Sequence, residues 1–198
     1  MKKKDLLMII SILSLIVIVL GSTFSYFAAF IKSNNNYVSI SAGSFGAKVI
    51  VSSLYNDKSL IPLNDDDVMI AYNNQCVDML NRGACYGYNI AVTNLGDEAG
   101  YTGTINFNID DIEHLNYMLL DDANNVYLEK NAIVSNSFQS LGNSFILDTG
   151  ETKNFKLIIW LSNFNYPQDD EDAGGNFSAS VTYESTYGSR ITGTFSVS

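Results

Sequence analysis

Histidine is almost missing from this chain of 198 residues, which has one His, two Cys, two Pro and one Trp. A lone imidazole excludes most His-based catalysis and most zinc sites. Two cysteines permit a single disulfide and exclude a four-cysteine metal site. Basic residues are also scarce, 11 against 21 acidic ones, for a formal charge of −10. A chain so short of Lys and Arg has little with which to neutralise phosphates, so nucleic acid is not an expected partner. What is abundant is apolar, with 46% hydrophobic residues against 16% charged. That ratio describes a globular chain, and 12 Tyr, 11 Phe and 14 Gly suit strands joined by tight turns.

The amino terminus sets the compartment. Lys2, Lys3 and Lys4 precede an apolar run from Leu6 to Leu20, interrupted only by Ser11 and Ser14. Gly21 then leads into small residues, and the three features together describe a secretory signal. Thr23 and Ser25 meet the small-residue rule for cleavage between Ser25 and Tyr26. The other reading is an uncleaved anchor, because the 26 residues from Leu6 to Ile31 carry no charge and can span a bilayer core. Both readings stay open, and both put residues 33–198 outside the cytoplasm. Cleavage would remove three Lys and one Asp, leaving a secreted part with 8 basic and 20 acidic residues. The chain divides into a signal or membrane anchor (1–25), a linker or donor strand (26–36) and one domain (37–198).

Within that domain the hydrophobic period is two. Val38 and Ile40, Ala47, Val49 and Val51, and Tyr88, Ile90 and Val92 alternate with other residues. So do Ile105, Phe107 and Ile109, the stripe Phe155, Leu157, Ile159 and Leu161, and the later pair of segments Phe177–Tyr183 and Ile191–Val197. Alternation over short segments separated by turn residues predicts an all-β antiparallel sandwich, jelly-roll or Ig-like, of eight to ten strands. Short helices are expected only near Asp110–His114 and Val134–Leu141.

Cys76 and Cys85 bracket eight residues, and in an exported chain such a pair forms a disulfide staple. His114 has no second histidine or HExxH pattern beside it and reads as an exposed loop-edge residue; no serine lies in a nucleophile elbow. Two acidic clusters remain, Asp65–Asp67 and the run Asp169, Asp170, Glu171 and Asp172 before Gly174-Gly175. The second is a weak calcium candidate, since hard oxygen ligands beside a flexible turn suit that ion. No other cofactor is expected. Seven tyrosines (86, 88, 101, 117, 127, 183 and 187) are candidates for a carbohydrate-binding surface or for ordinary sheet packing.

Several short motifs resemble one family. Gly21-Ser22-Thr23-Phe24-Ser25-Tyr26-Phe27 looks like the exit of signal peptides handled by a SipW-type peptidase. Val38-Ser39-Ile40-Ser41-Ala42-Gly43-Ser44-Phe45 is similar to the first strand of the TasA/camelysin family. Ala91-Val92-Thr93-Asn94-Leu95-Gly96-Asp97 resembles a V-T-N-x-G strand-turn, and Leu147–Lys153 resembles an L-x-P-G-E-T turn with Thr149 in place of proline. The resemblance implies a jelly-roll-like sandwich, export, and assembly into biofilm-matrix fibres by N-terminal strand exchange. The donor strand would include Phe27, Ile31, Tyr37, Val38 and Ile40. Implied partners are copies of itself or related subunits, a signal peptidase during export, and the membrane if the segment stays uncleaved. Camelysin relatives have been classed as metallopeptidases, but one histidine does not support carrying that activity over. The sequence thus predicts a non-enzymatic extracellular or cell-surface structural protein, with a membrane-tethered module binding glycan or protein as the alternative.

Overall fold

Strand formation follows the period-two pattern closely. The computed structural model describes residues 38–40, 46–55, 58–97, 100–110, 114–163 and 176–197. Among them are strands β1 (Val38–Ile40), β2 (Ala47–Tyr55), β3 (Tyr86–Asn94), β4 (Gly100–Asp110), β5 (Leu115–Leu120) and β6 (Val126–Ala132). They continue with β7 (Phe138–Ser140), β8 (Phe145–Ile146), β9 (Thr152–Leu161), β10 (Asn176–Ser185) and β11 (Arg190–Val197). One sheet has the order β1-β2-β3-β9-β5-β6; the other runs β11-β10-β4-β7, with β8 also paired to β4. Every strand pairing is antiparallel. The chain is an antiparallel β-sandwich.

The alternating apolar residues of both sheets meet in one core. Val49, Val51, Tyr88, Ile90, Phe155, Leu157 and Ile159 from the first sheet pack with Ile105, Phe107, Phe177, Val181, Ile191 and Phe195 from the second. Aromatic pairs bridge the sheets, with Tyr88 and Phe195 ring centroids 4.2 Å apart and Tyr86 and Phe177 5.8 Å apart. Packed rings of this kind add about 0.5–1.5 kcal/mol each beyond the area they bury.

A buried asparagine joins two of the resembling motifs. Asn94 ends β3 and is 1% exposed. Its Nδ2 donates to Leu147 O at 3.0 Å, and its Oδ1 accepts from Gly96 N at 3.0 Å. Its backbone N–H donates to Glu151 O at 2.9 Å, and its carbonyl accepts from Gly150 N at 2.7 Å. The turn that it grips is closed by Glu151 N donating to Asp148 O, and Gly150 takes φ +84°, which an L side chain rarely adopts. Thr149 stands where the motif has proline, and its hydroxyl donates to Gly96 O at 2.6 Å. Proline has no hydroxyl to make that bond.

Two expectations are corrected. Eleven strands are described, more than the eight to ten predicted. The helix is not in 134–141, where β7 and turns lie instead; α1 spans Val68–Asn73, after a single 3-10 turn at Asp65–Asp67. Residues 111–113 lie outside the described residues. The α1 segment is too short for a readable period, and its apolar face Val68, Ala71 and Tyr72 is set by tertiary packing.

Replacing Asn94 by Ala removes the side-chain partners of two backbone groups, Leu147 O and Gly96 N, while removing little apolar contact. Asn94→Ala is expected to lower stability by about 2–3 kcal/mol, read as a lower urea midpoint at unchanged slope. A midpoint equal to wild type would contradict the clamp.

Candidate functional site

The two outer faces of the sandwich differ, and the difference locates the candidate site. On the first sheet, residues 58–85 form a flap over β3, β9 and β5. Met118, Leu120, Ile158 and Trp160 point outward into a second apolar cluster with Val68, Ala71, Tyr72, Cys76, Ala84 and Cys85. This is why all six residues of β5 are buried. Gly87, outward-facing in β3, leaves room for the Tyr55 and Tyr72 rings; a Cβ there would lie 2.9 Å from Tyr55 Cδ2.

Three devices hold the flap. Cys76 and Cys85 form a disulfide with Cα atoms 4.7 Å apart. The expected pairing is present, and it closes the flap between α1 and β3. A loop of this length gains about 2–3 kcal/mol in the chain-entropy picture. Backbone bonds from Leu63 N to Leu161 O and from Asn163 N to Leu63 O, each 2.9 Å, add a seam along β9. Asp65 is the third device. Its Oδ1 accepts from Trp160 Nε1 at 2.9 Å and from Ser162 Oγ at 3.1 Å, and its Oδ2 accepts from Lys130. Partial burial pushes the Asp65 carboxyl up, but donation from Lys130, Trp160 and Ser162 outweighs that and holds it below the ordinary value.

The outer face of the second sheet carries no such flap among the described residues. Its side chains form rows across the strands. Thr192 (β11), Thr182 (β10), Thr104 (β4) and Ser140 (β7) make one row in register. Arg190, Glu184 and Thr102 make the next, and Thr194, Ser180, Asn106 and Phe138 a third. The Thr182 and Thr192 hydroxyls lie 2.8 Å apart, and Arg190 Nε donates to Glu184 Oε2 at 2.7 Å. An open groove of about 950 Å³ runs over this face, floored by Thr102, Thr104 and Thr182. Phe138 and Ile146 line it while remaining 71% and 74% exposed. Its size lies at the upper end of small-ligand sites.

The residues predicted from sequence distribute unevenly. Val38 and Ile40 lie in β1, which pairs with β2 of the same chain through Val38–Val51 and Ile40–Val49. The cleavage pair Ser25 and Tyr26, donor-strand residues Phe27, Ile31 and Tyr37, and the calcium candidates Asp169, Asp170, Glu171 and Asp172 lie outside the described residues. His114 is exposed, at φ +63°. Of the tyrosines, Tyr86, Tyr88, Tyr101, Tyr117 and Tyr183 are core residues and form no surface; Tyr127 is half-buried and Tyr187 exposed. Among the described residues no three His, Cys, Asp or Glu converge as metal ligands, and no helix is long and apolar enough to cross a membrane. Sequence reasoning missed the groove. Its signal was present in Thr102-Gly103-Thr104, Thr192-Gly193-Thr194 and Ser178-x-Ser180-x-Thr182, where the outward positions repeat as hydroxyls.

No family model and no curated protein matches the chain. Among solved structures it is similar to a conjugative transposon lipoprotein from Bacteroides eggerthii, at 14% identity and a TM-score of 0.37, over 78% of this chain and 98% of that one. It is similar to the sporulation control protein Spo0M from Bacillus subtilis at 10% identity and 0.36, over 77% and 48%. The PA14 sugar-binding domain of an RTX adhesin aligns at 15% identity and 0.33, over 77% and 80%. At these values each is a partial likeness of strand arrangement and no more.

Asp65 and the single tryptophan give the flap a direct readout. A depressed folded-state pKa adds stability that is complete above the ordinary Asp range and is lost as pH falls through the folded value. Trp160 emission is therefore expected to move to the red in strongly acidic solution. Asp65→Asn should already be shifted at neutral pH and lack that acid component. The same acid midpoint in both proteins would contradict the role of Asp65.

Proposed function

We propose that the chain is an exported, non-enzymatic surface or biofilm-matrix subunit that associates with its own kind through the first strand. The observation that carries this is the placement of β1. Among the described residues it is an edge strand of the six-stranded sheet, tied to β2 by three register pairs where β2 and β3 share eight. An edge strand can be replaced by the same strand of a neighbour without rebuilding the ladder between β2 and β3. The backbone bonds are the same in either arrangement, so the exchange costs little beyond association itself.

Two further features support export. The basic, apolar and small-residue segments of the first 25 residues follow the signal pattern, and the Cys76–Cys85 disulfide suits an oxidising compartment. The TasA/camelysin resemblance fits the same reading, with a signal peptidase and related subunits as partners. The acidic run 169–172 remains the place to look for weakly bound calcium. The groove on the second sheet favours a second reading, an extracellular binding module tethered by its N-terminal segment.

Deletion of residues 26–41 from the processed protein separates assembly from folding. The undeleted protein is expected to elute as polymers visible by electron microscopy, and the deletion variant as a monomer with unchanged Trp160 emission. Polymers that persist in the variant would overturn the reading. Loss of the fold would mean that β1 is needed to complete its own sheet.

A further inference from the structure

We infer that the groove on the outer face of β4, β10 and β11 is a binding site for a neutral pyranose oligosaccharide. The ligand class follows from three properties of the groove.

First, the floor binds through side chains rather than backbone. β10 is paired on both sides, with β4 and β11, and β4 is paired with β10 on one side and with β7 and β8 on the other. A peptide adding itself as a strand needs a free edge, which the floor does not offer. What the floor presents is the hydroxyls of Thr102, Thr104 and Thr182. Each hydroxyl can donate and accept; Thr104 and Thr182 are cross-strand neighbours about 4.8 Å apart, and Thr102 lies two residues along β4, about 6.7 Å from Thr104. A ligand edged with hydroxyls of its own can satisfy such a row whichever way each proton points.

Second, the wall is apolar and exposed. Phe138, in register with Asn106, projects from the outer face with 71% of its surface open, and Ile146 opposite Gly100 with 74%. Large apolar side chains left in water beside a polar floor fit a ligand with one polar edge and one apolar face. A pyranose ring has that construction, with equatorial hydroxyls around its rim and C–H groups on its flat face.

Third, the charge balance selects a neutral polymer. The groove's charged residues, Glu184 and Arg190, pair with each other. The protein carries −10 overall, which repels an acidic polymer at long range. A groove of about 950 Å³ is larger than one sugar needs, so an oligosaccharide is expected.

The inference deepens the binding-module reading above and needs surface exposure of the protein only for access to a polymer. The test uses the full chain in a sugar-free detergent, titrated calorimetrically with cellohexaose, mannohexaose and penta-N-acetylchitopentaose. Hexagalacturonate serves as the acidic control and a neutral extended peptide as the second. At least one neutral sugar is expected to bind, at least tenfold tighter than hexagalacturonate. Phe138→Ala and Thr182→Val should each weaken it by about tenfold, the scale of one packed ring or one hydrogen bond. Phe138→Ala changes an exposed group, so its melting curve should match wild type; Thr182→Val also gives up the hydroxyl contact to Thr192, so it is compared with Thr192→Val, which loses the same contact away from the groove lining. No binding of any neutral sugar at millimolar concentration overturns the inference, as does preference for the peptide or affinity unchanged in both variants. Sugar binding by a protein found only in the cytoplasm would overturn the export reading and leave the groove assignment standing. A surface location without sugar binding would do the reverse.

Discussion

The fold depends on a hydrogen-bonded corner at the end of β3. Asn94 reaches from one central strand of the first sheet to the turn that begins the next, and both its side chain and its backbone are used. Just inside that corner, Thr93 and Thr152 are cross-strand partners whose hydroxyls lie 2.8 Å apart. Slipping β3 against β9 by one residue would turn Tyr88, Ile90 and Val92 away from the core. It would also leave a buried amide without partners, a cost that adds to the lost burial. The register of the first sheet is thus fixed by polar and apolar constraints that agree.

From that register follows the asymmetry between the outer faces. β5 and β9 present apolar residues on both sides, so the first sheet needs a cover, which the flap of residues 58–85 supplies with its disulfide and Asp65. β4, β10 and β11 present apolar residues inward only, and their outward positions are Thr, Ser and Asn together with the Glu184–Arg190 pair. One face of the sandwich is therefore closed, and the other is a hydroxyl-bearing surface with an apolar rim. The edge strand proposed for association and the face proposed for a ligand thus lie on different parts of the molecule.

Most of the fold was legible because half-buried strands write their period directly into sequence. The Cys76–Cys85 pairing was legible for a different reason: two cysteines admit one intramolecular partner each. The helix was not, since six residues give no period; Asp65–Asp67 ahead of Val68, Ala71 and Tyr72 was the signal available, and it reads equally as a solvated cluster. Trp160 falls between the inward-facing Ile159 and Leu161 and so faces away from that core, but sequence gives no sign that the flap buries it again. The tyrosines left both readings open, because Tyr suits both surface and core and only packing decides. The groove was hidden because Thr and Ser on an outward face are ordinary. Their meaning comes from the register that aligns three strands, together with Phe138 and Ile146 contributed by two short strands far along the chain.

The proposed reading is that this sandwich works outside the cytoplasm as a processed, disulfide-closed subunit. The intact mass of the protein recovered from its cell surface, measured before and after reduction, tests it most directly. The account predicts a chain beginning at Tyr26 that gains two hydrogens on reduction, as one Cys76–Cys85 bond requires. A full-length chain whose mass does not change on reduction would contradict it.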